Sequence, residues 1–232
     1  MKKAVLIIHG LAGHPNEHKS IIDYLNKDFD VYTYILPGHD NKLFSRPKAE
    51  IWIKVSEEEV EKLYEKGYSD IYVIGHSMGG VIGTYLATKY DCIKKLVLEA
   101  PAYFSNTRFN PKIFKYYKLS FLIPTIFKFT PGILKEFKKL VANYKDYPNR
   151  INIPILIIQG KDDVFINWEK VKKLYDEVPS KKKYSLFVND LPHTFCKDKK
   201  YNDIMPIIKD FFKNKHFDVK KYDDILLQNK TR

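Results

Sequence analysis

The sequence predicts an α/β architecture: a mostly parallel sheet of about six strands flanked by helices, with a helical insertion between its two halves. Three observations predict it. Six short runs rich in β-branched residues are mostly continuously apolar rather than alternating, as expected of strands covered on both faces. Segments with helical spacing lie between them. Glycine or proline punctuates most of the strand exits.

The runs are Ala4 to Ile8, Val31 to Leu36, Ile71 to Ile74, Ile93 to Leu98, Ile155 to Ile158 and Tyr184 to Val188. The first follows a basic start, but it is too short for a signal sequence and passes directly into a glycine turn, so it reads as a strand. Between the strands, Ile51, Val55 and the acidic run Glu57 to Glu61 read as a helix with one wet face. Val171, Leu174, Tyr175 and Val178 recur at the same spacing. From Ala102 to Arg150 no strand pattern appears. Thr130 and Pro131 resemble the cap and first position of a helix, whose apolar stripe is Ile133, Phe137, Leu140, Val141 and Tyr144. The expected division is a core of residues 1–101 and 151–232, with a helical cap over 102–150. The tail from Lys215 to Arg232 mixes charges with Ile225, Leu226 and Leu227 and fits either a docked helix or a frayed end.

The 232 residues suit one globular unit carrying an insertion. A chain of this size buries roughly 70% of its unfolded surface and needs no covalent staples. Two cysteines, Cys92 and Cys196, form no framework and no metal-like spacing, which points to a reducing, cytoplasmic setting. No run approaches the roughly 18 apolar residues of a membrane span. The net charge of +12 is uneven: the 102–150 segment holds ten basic residues against Glu136 and Asp146, together with twelve aromatics. Such a segment suits peripheral contact with an anionic surface or head group. No nucleic-acid motif accompanies the charge, so no nucleic-acid partner is expected.

The sharpest feature is Gly75-His76-Ser77-Met78-Gly79-Gly80, directly after the third strand and before a helix begun by Val81, Ile82, Tyr85 and Leu86. A serine hydroxyl serves as a nucleophile when it is exposed beside a base, and a tight strand-to-helix turn gives that exposure. The flanking glycines leave the turn room to form. Two later segments carry the other candidates. Gln159-Gly160-Lys161-Asp162-Asp163 follows the fifth strand, and Asn189-Asp190-Leu191-Pro192-His193 follows the sixth.

With these segments in place, the chain resembles the α/β-hydrolase superfamily, and within it small bacterial carboxylesterases and monoacylglycerol lipases. The resemblance spans nearly the whole length apart from the tail; the cap matches in position rather than in motif. It implies Ser77 as nucleophile, His193 as base and Asp163 as the acid that orients it, in the chain order expected of that fold. Asp163 and Ile166 fit the family register; Asp162, one position early, is the alternative acid and more naturally a loop-capping residue. His9-Gly10-Leu11 corresponds to the oxyanion loop, so the backbone amides of Leu11 and Met78 are the implied donors. His39, in Leu36-Pro37-Gly38-His39, is expected to bond between loops, and His76 to be either a packing residue or one that supports the catalytic groups from behind, rather than the base, with its side chain pointed away from the nucleophile. His216 lacks a strand-exit setting. No cofactor or metal is required; His9, His14 and His18 lack an acidic cluster beyond Glu17.

The implied substrate is a small ester with an apolar acyl chain. Phe104, Phe121 and Phe127 are candidate pocket residues, joined by Phe109, Phe114 and Phe137, although all of these also suit simple packing of the cap. Aminopeptidase, thioesterase and acyltransferase chemistry use the same triad, and a basic binding protein is the alternative outside enzymes. Oligomeric state is not legible.

Overall fold

The computed structural model describes residues 3–39, 48–104, 115, 117 and 131–222. Six strands form one parallel sheet: β1 (Ala4–Ile8), β2 (Asp30–Thr33), β3 (Ile71–His76), β4 (Ile93–Glu99), β5 (Ile155–Gly160) and β6 (Lys183–Val188). Their spatial order is β2-β1-β3-β4-β5-β6. The order reverses direction at β1, so the switch point of the sheet lies between the carboxyl ends of β1 and β3, the place where parallel sheets of this kind carry their sites.

Every predicted strand is present, and β1, β3 and β5 are wholly buried, which is why their sequences lack alternation. The second strand is shorter than its apolar run suggests. It leaves the ladder after Thr33, and the N–H of Leu36 is taken instead by the ring of His9 at 3.0 Å. A side chain thus replaces the strand partner, and the chain turns at Pro37-Gly38.

Helices cover both faces. On one face lie α2 (Ala49–Glu65), α3 (Met78–Lys89), α4 (Pro131–Tyr144) and α5 (Trp168–Glu177), packed on Leu6, Ile8, Val73, Leu96 and Ile157. On the other lie α1 (Lys19–Leu25) and α6 (Tyr201–Lys213), packed on Val5, Ile7, Ile74, Val97 and Ile158. Each large aliphatic side chain so buried contributes roughly 1.5–3 kcal/mol. In α2 the phase differs from the sequence reading. Trp52, Ser56, Val60 and Leu63 face inward, whereas Ile51 is 41% exposed. The indole N–H of Trp52 donates to the Pro37 carbonyl at 2.8 Å, which fixes that phase. In α4, Ile133 and Leu140 are buried and the rest of the predicted stripe is half-buried.

Among the described residues no helix is long and apolar enough to cross a membrane. A short 3₁₀ turn at Val219–Tyr222 ends the described chain, and the apolar part of the tail lies beyond it. Phe109, Phe114, Phe121 and Phe127 also lie outside the described residues.

Candidate active site

Ser77 caps the passage from β3 into α3 with φ 53° and ψ −115°, a conformation that costs an L residue energy and is held only where the surroundings insist. Three backbone bonds supply that insistence. The Ser77 N–H donates to the Glu99 carbonyl at 2.8 Å, and its own carbonyl accepts from Gly80 at 3.0 Å and Ala102 at 3.1 Å. The turn can close only because α3 starts against β1. A Cβ on Gly79 would stand 2.1 Å from the Ile8 carbonyl oxygen.

The hydroxyl of Ser77 lies 3.0 Å from Nε2 of His193, and Nδ1 of the same ring lies 2.7 Å from Oδ2 of Asp163. The structure therefore brings together the serine, the histidine and the acid predicted from three distant segments. Asp163 is tied from every side. Its Oδ1 accepts from the amides of Phe165 at 2.8 Å and Ile166 at 2.9 Å, and its Oδ2 accepts from Gln159 Nε2 at 3.0 Å as well as from the imidazole. Asp162 does something else: its Oδ2 accepts the N–H of Asp190 at 2.8 Å, which pins the loop that carries His193. That loop also lies against β5, since a Cβ on Gly160 would meet the Leu191 carbonyl oxygen at 2.0 Å.

The loop after β1 adjoins the serine. A Cβ built on Gly10 would stand 3.0 Å from Cβ of Ser77. His9 shapes this loop through both ring nitrogens. Nε2 accepts from Leu36, so Nδ1 carries the hydrogen and donates to the Gly10 carbonyl at 2.8 Å. The same carbonyl accepts the Gly13 N–H at 3.1 Å. In a trans peptide the carbonyl and the following N–H point oppositely. Fixing the Gly10 carbonyl toward His9 and Gly13 thus fixes the direction of the Leu11 N–H. Met78 is the first residue of α3, where backbone N–H groups have no intrahelical acceptor.

The remaining histidines divide by role. His39 donates from Nδ1 to the carbonyls of Leu36 at 3.2 Å and Pro37 at 3.3 Å, bonds that lie within its own turn, and its ring stands edge-on to that of His9 at 5.0 Å. His76 is a packing residue, but its ring is not turned away from the chemistry: it lies 5.2 Å from the ring of His193. His14 caps a turn through Nδ1, His18 is buried against His76 at 5.7 Å, and His216 is exposed. His9, His14 and His18 therefore face separate partners.

Sequence reasoning missed five contributors. Gln159 and Glu99 are buried polar residues ending apolar strands, a signal that was available. Phe165 packs edge-on against His193 at 5.4 Å, and Tyr117 lies against Phe165 at 5.7 Å while accepting from the Thr194 N–H at 3.3 Å. Lys115 pairs with Asp190 at 3.2 Å. The 102–150 segment thus touches the histidine loop on both sides of His193. Phe104 is half-buried, and its carbonyl accepts from Asn167 at 3.0 Å.

Burial also sets charge states. It pushes His9 down to about 3 and His18 down to about 4, and holds His76 well below the usual histidine range. Below pH 6.5 the unfolded chain protonates these rings while the folded chain refuses, so stability is lost as pH falls, by about 1.4 kcal/mol per pH unit for each ring. Glu99 acts oppositely. Burial raises its carboxyl from 4.5 to about 7, so its contribution is full below 4.5 and lost as pH rises to 7. With three rings against one carboxyl, the melting temperature is expected to drop between pH 7 and pH 5. A series of thermal melts showing a flat or rising Tm over that interval contradicts the neutral-histidine arrangement.

A family model described as the alpha/beta hydrolase fold matches residues 3–131, and one described as serine aminopeptidase, S33, matches residues 123–200. A carboxylesterase of Bacillus subtilis is 25% identical over 215 residues, covering 85% of this chain and 87% of the relative. An esterase/lipase of Mycoplasma pneumoniae is 30% identical over 141 residues, covering 60% of this chain; the match spans about half of that relative, 47% of its length. The crystal structure of Paleococcus ferrophilus monoacylglycerol lipase superposes with a TM-score of 0.69 at 18% identity, covering 89% of this chain and 92% of that one. The parallel sheet and the serine turn between β3 and α3 agree with a first family model that extends over more than half of the residues, and the chain belongs to the alpha/beta hydrolase fold family.

Proposed function

We propose that the protein is a serine hydrolase that cleaves carboxylic esters through an acyl-enzyme on Ser77. The observation that carries this reading is the continuous chain from hydroxyl to imidazole to carboxylate, at 3.0 Å and 2.7 Å. Asp163 holds the ring with its hydrogen on Nδ1, which leaves the Nε2 lone pair facing the serine. As the Ser77 oxygen bonds to the acyl carbon, its proton passes to Nε2. The negative charge that develops on the carbonyl oxygen is met by the amides of Leu11 and Met78. His193 then returns the proton to the departing alkoxide as the ester C–O bond breaks. Water, deprotonated by the same nitrogen, attacks the acyl-enzyme, releases the acid and restores Ser77.

Residues 102–150 form a cap over this site and select the acyl chain. The contacts of Lys115 and Tyr117 with the histidine loop support that placement. The cap's aromatics favour an apolar acyl group, and its positive charge favours an anionic interface, which the enzyme touches without inserting. Both cysteines are unpaired, which supports action in the cytoplasm.

The test pairs fluorophosphonate labelling with a panel of nitrophenyl esters of increasing chain length. The label is expected on Ser77, and activity is expected to pass through an optimum that shifts when Phe104 is trimmed to Ala. Failure to label Ser77 ends the serine-hydrolase reading, and a flat profile unmoved by Phe104→Ala removes the acyl-pocket role. A second reading, cleavage of aminoacyl amides, is favoured by the aminopeptidase family model over residues 123–200. Faster turnover of an aminoacyl anilide than of any ester in the panel selects it.

A further inference from the structure

Behind His193 lies a buried cluster that the proposed reaction does not use. Glu99, the last residue of β4, is fully buried and paired in register with His76. Its Oε1 accepts from the Tyr201 hydroxyl of α6 at 2.7 Å, and its Oε2 stands 3.8 Å from Nδ1 of His76. The ring of His76 is in turn tilted 45° to that of His193 with the centroids 5.2 Å apart, and Phe195 closes one edge at 5.8 Å. His18 lies beyond His76 at 5.7 Å. Four side-chain atoms in this one cluster are buried without a hydrogen-bond partner among the described residues: both ring nitrogens of His18, Nδ1 of His76 and Oε2 of Glu99. Leaving buried polar atoms unbonded is costly, and proteins concentrate such costs where the groups have work other than stability.

Resting on the reading of His193 as the base, we infer that Glu99 is a positioning residue that tunes this base from behind, its charge reaching the imidazole through the ring of His76. The geometry gives the effect a sign. When Glu99 is a carboxylate, it favours positive charge on the rings in front of it, and His193 is the one of them that becomes an imidazolium during turnover. A buried carboxyl raised to about 7, with the Tyr201 bond pulling the other way, changes charge within the working range of such an enzyme. His76 does not compete for the proton, because burial first, and then the neighbouring His193, holds it neutral. The other titratable groups that bear on the cluster are His18 and Glu17 from the turn after β1, His9 from the β1 exit, Cys196 and Lys197 from the turn after His193, and Tyr201. Glu99 is the carboxyl buried among them.

The test is the pH dependence of kcat/KM toward a short nitrophenyl ester for the full chain and its variants. Glu99→Gln keeps size and polarity but cannot ionise. It is expected to move the acid limb to lower pH by about one unit and to lower the high-pH plateau by about 3- to 10-fold. Tyr201→Phe removes the donor that favours the carboxylate, so it moves the limb the same way by less. Glu99→Asp restores an ionisable group and brings the limb partway back. A limb in Glu99→Gln that stays within about 0.2 units of the parent overturns the proposal, whatever happens to Tm or to the plateau. If Glu99→Gln does not fold, Tyr201→Phe decides by the same criterion. Fluorophosphonate labelling of Ser77 separates the two readings: an unlabelled parent sinks the serine mechanism, whereas a labelled Ser77 with an unmoved limb sinks only the role of Glu99.

Discussion

Ser77→Ala is expected to lower kcat toward the best ester of the panel by about 10⁴- to 10⁶-fold while leaving KM within a few-fold of the parent. Loss of the oxygen removes the covalent path altogether. What remains is water acting in a site that still offers the Leu11 and Met78 amides, and such remnants retain roughly 10³- to 10⁴-fold over the uncatalysed reaction. The fold should tolerate the change. Alanine at φ 53° meets the same backbone cost as serine, and the three backbone bonds that hold residue 77 involve no side-chain atom. The measurement is steady-state turnover of purified mutant and parent, with thermal melts to show matched stability. A mutant that keeps most of the parental activity ends the assignment of Ser77 and, with it, the acyl-enzyme.

The architecture was legible because continuous apolar runs such as Val5 to Ile8 and Ile155 to Ile158 have no plausible place except between two helical layers. The serine turn was legible for a stereochemical reason: only glycine fits at position 79, where the chain presses on β1. The order of serine, acid and histidine along the chain then restricted the partners. Asp163 was distinguishable from Asp162 only through family register. The structural difference is that Oδ1 of Asp163 collects the two amides of its own turn, while Asp162 reaches across to Asp190. What stayed hidden depends on contacts between segments far apart in the chain. Nothing local to Glu99 indicates that Tyr201 covers it, or that His76 carries its neighbourhood to His193. His76 itself was misjudged in direction, because β3 runs on to that residue in register with Glu99 and places its ring beside the histidine loop. The early end of β2 followed from a side chain, His9, taking a strand's hydrogen bond, which no pattern of apolar residues signals.

Asp163→Asn is expected to lower kcat by about 10⁴-fold at neutral pH while preserving the fold, and the reason lies in which oxygen each neighbour occupies. The Oδ1 position faces two backbone N–H donors, from Phe165 and Ile166. An asparagine must therefore place its carbonyl there, because its NH₂ group facing two further donors would leave all of them unsatisfied. The NH₂ is then forced into the Oδ2 position, where it meets Nδ1 of His193 and the Nε2 amide of Gln159. Gln159 can accept only by turning its amide over and giving up the bond from its Nε2 to the Gly160 carbonyl at 3.0 Å, and the imidazole has no alternative at all. It must accept at Nδ1, which moves its hydrogen to Nε2 and points a donor at the Ser77 oxygen, so the proton of the hydroxyl has nowhere to go. The same logic gives Asp162→Asn a mild effect, within about 10-fold, because its role is to hold the Asp190 amide through an oxygen that asparagine retains. Kinetics of the two mutants beside each other, with fluorophosphonate labelling rates as a second measure of serine reactivity, check the argument. Equal losses in both, or the larger loss in Asp162→Asn, would falsify the assignment of Asp163 as the residue that fixes the tautomer of His193.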